Sequence, residues 1–252
     1  MIKIIVHVAK IIITLITSLL LSSCIFSDKS GNSGVFYEKV KGTGNVVTQD
    51  RDITQNFTYI AASNDLEVII EQSNQTSVAV ESDENLQEHI KTEVKDNELK
   101  IYTDASITNA SIKKIIVRMP IIKGISSSSS ASITTNMTLK AETLNLSSSS
   151  GSSINITIDT KNVTCEASSG SEIVVSGNTN QLTTDTSSGS SLNAKELTAE
   201  NVIAEASSGS STSVNPQESL DAEASSGGSI KYINTPKRLD RDTSSGGSVY
   251  KG

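Results

Sequence analysis

The sequence predicts an all-β protein: a parallel β-helix, or solenoid, with coils of about 19 residues, preceded by irregular, strand-rich first coils. Two observations carry this. Ser-Ser-Gly-Ser or Ser-Ser-Gly-Gly recurs with its first glycine at Gly151, Gly170, Gly189, Gly209, Gly227 and Gly246. Around each copy the side chains keep one register, apolar on alternate positions and polar between them. Serine-rich disorder, the competing reading of such composition, holds no register of this kind.

The register fixes which residues face inward. Seven residues before each glycine stand Leu144, Val163, Leu182, Val202, Leu220 and Leu239. Five before stand Leu146, Cys165, Thr184, Ala204, Ala222 and Arg241, and three before stand only small residues, from Ser148 to Thr243. Three after come Ile154, Ile173, Leu192, Thr212, Ile230 and Val249. This is the period-two alternation of a strand with one buried face. One such strand has nowhere to bury that face, whereas stacked coils bury it against each other, about 4.8 Å apart. Glycine then supplies backbone angles forbidden to a side chain, and the serines bridge coils through their hydroxyls. Gly177-Asn178, Asn215-Pro216 and Thr235-Pro236 mark further corners. A degenerate earlier copy of the repeat lies in Ser126–Ile133, and Arg241 breaks the inward pattern where the solenoid must end.

The chain divides into four stretches. Residues 1–23 read as a lipoprotein signal peptide, because the apolar run Ile11–Leu21 is too short to span a membrane and Lys3 and Lys10 flank it. Leu21-Ser22-Ser23-Cys24 resembles the bacterial lipobox, which makes Cys24 the expected lipidation site and the membrane a partner through an N-terminal lipid anchor. Residues 24–34 are the lipidated cysteine and a flexible tether. Residues 35–122 are a strand-rich part with Leu66, Val68 and Ile70, then Val78 and Val80, then Val94, Leu99 and Ile101, and later Ile115, Val117 and Met119 on alternate positions. Asp96-Asn97 reads as a turn between two of these runs. Residues 123–252 are the Ser/Gly-repeat coils.

Composition excludes several functions. About 228 residues remain after the leader, enough for one elongated domain. A net charge of −7 argues against nucleic acid as a partner. Aromatic residues make up 3% of the chain and tryptophan is absent, which leaves little from which to build a sugar-stacking platform. With Cys24 assigned to lipid, Cys165 has no partner for a disulfide and reads as a small buried hydrophobe. Of the two histidines His7 leaves with the leader, so any catalytic triad would depend on His89, which sits in a polar stretch and reads as a solvated residue on a turn or short surface helix.

The sequence implies no cofactor and assigns no catalytic or metal site. The residues nearest to one are Glu166, Asp185, Glu205, Glu223 and Asp242, four before successive glycines, which the coil model stacks in one row. Neighbouring carboxylates about 4.8 Å apart repel by roughly 1 kcal/mol in water, and Ca²⁺ is the cation that would relieve this. A solvated acidic face is the competing reading. Polysaccharide-cleaving β-helices set paired acids in a walled groove, and no insertion here is long enough to build one. Ice-binding arrays need a flat Thr-rich face, whereas these rows mix Ser, Ala and acids.

Phe57–Gln72, Ser77–Leu86 and Ile116-Val117-Arg118-Met119-Pro120, followed by the serine-glycine coils, together resemble the head GIN domain family of auto-transporter adhesins, common in Bacteroidetes. The resemblance covers most of residues 42–250. It implies a right-handed β-helix, a lipoprotein-type leader and an adhesin role, and it brings no catalytic or ligand residues. The expected function is therefore a non-enzymatic cell-envelope lipoprotein, an adhesin or surface-structural β-helix, with a periplasm-facing sensing or partner-binding module as the alternative. Partners are the membrane, a protein or glycan ligand, and, through the open last coil, further copies of the chain. The expected location is the outer membrane, on either its surface or its periplasmic face.

Overall fold

The computed structural model describes residues 38–252. The expected leader at 1–23, and the expected lipidation site Cys24 with its tether at 24–34, lie outside them. The first half contains β1 (Lys39–Lys41), β2 (Val46–Arg51), β3 (Tyr59–Ala62), β4 (Glu67–Gln72), β5 (Ser77–Asp83), β6 (Ile90–Lys95), β7 (Glu98–Thr103), β8 (Ser106–Thr108) and β9 (Lys113–Met119). The second contains β10 (Gly124–Ser127), β11 (Ser132–Ser148), β12 (Ser153–Ala167), β13 (Glu172–Thr186), β14 (Ser191–Ala206), β15 (Ser211–Ala224), β16 (Ser229–Tyr232), β17 (Arg238–Thr243) and β18 (Ser248–Lys251).

These strands form the solenoid that the repeat requires. From β11 to β15 each long strand pairs in parallel with the next, one coil on, and the short strands β16 to β18 complete the last coils. Equivalent hydroxyls such as Thr157 and Ser176, 19 residues apart, meet at 2.9 Å. The inward rows stack as expected: Leu144, Val163, Leu182, Val202 and Leu220 are buried one above another. Ile115, Val68, Ile133, Ile154, Ile173 and Leu192 form a second buried row that runs unbroken into the N-terminal half.

Each coil closes on a tight turn. In Ser168–Ser171 the Ser171 N–H donates to Ser168 O at 3.2 Å, and both central residues, Ser169 (φ 53°) and Gly170 (φ 69°), are left-handed, the pattern of a type I′ turn. Equivalent pairs occur at Ser129–Ser130, Ser150–Gly151, Ser188–Gly189, Ser208–Gly209, Ser226–Gly227 and Ser245–Gly246, and also at Asn64–Asp65. The turns are stitched into a spine: Asp65 N–H donates to Ser129 O at 2.9 Å, Ser130 N–H to Ser150 O at 3.1 Å, and Gly151 N–H to Ser169 O at 3.1 Å. Ser130 stands where later coils have glycine and carries a left-handed strain of about 1 kcal/mol.

The serine after the glycine is internal. Ser171 Oγ donates to Ser148 O in the preceding coil at 2.7 Å and accepts from Ser168 N–H at 3.2 Å. Ser152, Ser190 and Ser210 repeat this bond to Ser127 O, Ala167 O and Thr186 O. The serine richness of these four turns therefore has a structural cause, since a buried hydroxyl in each ties two coils, whereas the last two turns carry Gly228 and Gly247 in its place.

The N-terminal half departs from simple stacking. β3 and β4 lie in register with β10 and β11, but the coil on their other side is made by β7 and β9, which come later in the chain. The first coil in sequence is thus sandwiched in space. Antiparallel strands finish this end: β5 on β9, β2 on β5, and β6 on β7 through the left-handed turn Asp96–Asn97. At the opposite end β17 is an open edge of sequence RLDRDT, charged at four positions, a composition that discourages edge pairing.

Candidate functional site

Parallel stacking turns single residues into rows, and the acidic row is where the sequence placed it. Glu166, Asp185, Glu205, Glu223 and Asp242 face one another on successive strands β12, β13, β14, β15 and β17, and all are exposed. Asp185, Glu205, Glu223 and Asp242 line a shallow groove of about 130 Å³ with Ala206, Ser207, Ala224 and Ser225. Among the described residues no three carboxylate, imidazole or thiol groups converge as metal ligands. Ca²⁺ takes six to eight oxygens, and two neighbouring carboxylates of the row supply at most four. Adding about 10 mM Ca²⁺ is expected to leave the melting temperature unchanged; a site of ~1 mM affinity would raise stability by about 1.4 kcal/mol, easily seen by calorimetry.

His89 differs from expectation. It lies on the turn after the one-turn 3-10 helix Glu84–Leu86, as its polar context suggests. Its side chain is only 19% exposed, however, and Nδ1 sits 3.0 Å from Asp104 Oδ1. The cause is the β6–β7 pairing, which brings the residues flanking both strands together. Lys91 Nζ reaches Asp104 Oδ2 at 2.9 Å, and the Lys91 bond first, then that from His89, holds the Asp104 carboxyl below its ordinary value. The other ring nitrogen faces Glu88 at 3.8 Å, so both ring nitrogens look toward carboxylates.

Cys165 is fully buried in the inward row between Leu146 and Thr184, and burial pushes its thiol up to about 12. A thiol held in that state is unreactive at neutral pH. Its neighbour Thr184 has a buried hydroxyl with no hydrogen-bond partner, whereas Thr186, two residues on, meets Ser210 Oγ at 3.0 Å and Thr212 Oγ1 at 2.8 Å. Thr184→Val keeps the shape and removes the orphan. It is expected to raise stability by about 1 kcal/mol in urea denaturation.

Composition also understates what the surface offers. Tyr59, opposite Glu98 on one side and Gly124 on the other, is 36% exposed. It borders a cleft of about 390 Å³ whose lining includes Pro120, Ile121, Lys123, Lys140, Thr143 and Asn145. No sequence motif marks this cleft, since the register of β3, β10 and β11 assembles it from distant residues.

The architecture agrees with what the chain is related to. A family model described as "Putative auto-transporter adhesin, head GIN domain" matches residues 56–236. The chain belongs to this head GIN domain family. Solved structures with the same fold include a putative adhesin from Bacteroides fragilis, with a TM-score of 0.77 and 21% identity over 84% of this chain and 99% of that one. A putative adhesin from Parabacteroides merdae has a TM-score of 0.69 and 18% identity, covering 85% and 99%. A putative lipid binding protein from Parabacteroides distasonis has a TM-score of 0.69 and 20% identity, covering 85% and 100%. No curated protein sequence matches the chain. At these identities the structures share the fold. The head GIN match begins at the stretch before β3 and ends after β16, so it takes in most of the strand-rich first half and the serine coils up to β16.

Proposed function

We propose that this head GIN chain is a non-enzymatic adhesin or surface-structural rod of the cell envelope, held to the outer membrane through lipid on Cys24. The observation that carries the reading is the continuous ladder of turns and rows from β3 to β18, which gives a stiff body with regular polar faces. Rigid repetition of this kind suits display and attachment, because a partner meets a surface already ordered. The lipobox-like Leu21-Ser22-Ser23-Cys24 supplies the tether.

The test is attachment by living cells. A strain lacking the chain is expected to adhere less to its host substratum than the parent. The wild-type gene restores adherence and a Cys24→Ala version does not, because its product lacks the anchor. Equal adherence of all three strains would overturn the adhesin reading and turn attention to partners within the envelope.

A further inference from the structure

The walls of the cleft beside Tyr59 are held in place by hydrogen bonds between coils. One wall is the segment Pro120–Lys123 between β9 and β10, and the other is Lys140–Asn145 in β11. Gln72, the last residue of β4, ties them: its Nε2 donates to Pro120 O at 3.1 Å and to Lys140 O at 2.9 Å, while its Oε1 accepts from Lys140 N–H at 2.8 Å. A ligand therefore meets a cleft already ordered, and binding loses little to rearrangement.

Its chemistry is mixed in a definite way. The Tyr59 ring occupies the space a side chain at Gly124 would fill, since a Cβ there would lie 2.4 Å from the ring Cδ1. Seating a ring over a strand glycine supports the sheet, but it accounts for neither the exposed Ile121 beside it, 57% accessible, nor the charges around them. Lys123 and Lys140 both line the cleft and are exposed, and among the described residues neither is paired with a carboxylate. The acid that lines it, Glu142, is engaged by Lys161 at 2.7 Å. In a chain of net charge −7 this concavity is thus locally cationic. Thr143 and Asn145 add an exposed hydroxyl and an exposed amide at its rim.

An aromatic and aliphatic platform, planar and hydroxyl hydrogen-bonding groups, and two free ammonium groups match one ligand class. A pyranose offers C–H faces to Tyr59 and Ile121 and hydroxyls to Asn145 and Thr143, and a carboxylate on it meets Lys123 and Lys140. We propose that the Tyr59 cleft binds a carboxylated pyranose of an acidic glycan. This supplies a ligand class for the adhesin reading and rests on it for its biological meaning.

The test uses the full chain, titrated calorimetrically with tetragalacturonate and with the neutral galactotetraose. Tetragalacturonate is expected to bind at least about ten-fold tighter and to weaken as salt rises. Tyr59→Ala, and separately the pair Lys123→Ala and Lys140→Ala, each lower its affinity about ten-fold, while Tyr59→Phe, which keeps the ring, does not. The lysine pair makes no structural side-chain bond among the described residues, so it answers the question even if Tyr59→Ala fails to fold. Equal binding of the neutral sugar, no binding of tetragalacturonate, or wild-type affinity in the lysine pair would each refute the cleft. That result would leave cell attachment untouched, and a failure of attachment with binding intact would refute the adhesin reading alone.

Discussion

Replacing Gly177 by alanine is expected to destabilise the solenoid by about 2–5 kcal/mol, lowering its melting temperature by about 5–15 °C. Gly177 lies in β13 opposite Ile158 of β12 and Leu197 of β14, both buried, at a corner where the coil bends against its neighbour. Its φ of 110° is closed to ordinary side chains. A Cβ there would stand 2.0 Å from the Ile158 carbonyl oxygen, a backbone atom pinned in the ladder. Strain and collision therefore add. Gly170→Ala is the control: φ is also positive, 69°, but nothing lies within 4 Å of the new Cβ, so the cost is about 1–2 kcal/mol. Thermal melts of the two variants followed in the far ultraviolet check this, and equal losses would mean that the close approach at the corner is absent.

The second large effect concerns the capped end. Asp83 closes β5 with its side chain inaccessible to solvent. It accepts from Ser111 N–H at 2.7 Å, Gly44 N–H at 2.8 Å and Ser111 Oγ–H at 2.9 Å, so one carboxylate fastens two distant loops to the cap. The Ser111 backbone bond, with the remaining hydrogen bonds and against the opposing cost of burial, holds the carboxyl below its ordinary value. A folded-state value below the unfolded one means that this carboxylate stabilises the fold above about pH 4, the unfolded range. The contribution disappears as pH falls through the lower, folded value. Asp83→Asn keeps the size but turns an amide toward N–H donors. The variant is expected to unfold several degrees below wild type at pH 7, with the gap narrowing as pH falls toward 3. Urea midpoints across that range measure it, and a gap that stays constant would show that the charge is not what binds the loops.

Much of the fold was legible because the repeat is geometric. The spacing of Gly151, Gly170 and Gly189 announced the coil length, and the alternation around them named the buried rows, including Cys165. The earliest turn of the spine was harder to see because it contains no serine-glycine pair. Asn64–Asp65 does the same work through the tolerance of Asn and Asp for left-handed angles, so the signal was present in another alphabet. The interleaving of β3 between β7 and β10 was not legible at all, since parallel and antiparallel strands share one hydrophobic period.

The candidate sites divide along the same line. A row of acids is written in the register and could be placed from sequence. His89 was read as solvated because Asp104, its partner, is brought near only by the β6–β7 hairpin. The Tyr59 cleft joins Gln72 to Lys140, 68 residues apart, through a register that no local pattern encodes. A chain low in aromatic residues can still place one ring where it matters, and composition measures only the number.

The most direct test of the account is whether the mature domain is displayed on the cell. Intact cells would be treated with protease, or labelled with antibody against residues 38–252, beside lysed cells and cells carrying Cys24→Ala. Surface display predicts labelling or cleavage on intact cells and its loss from the cell surface in Cys24→Ala. Protection until lysis would contradict it and place the solenoid, with its turns and its cleft, on the periplasmic face.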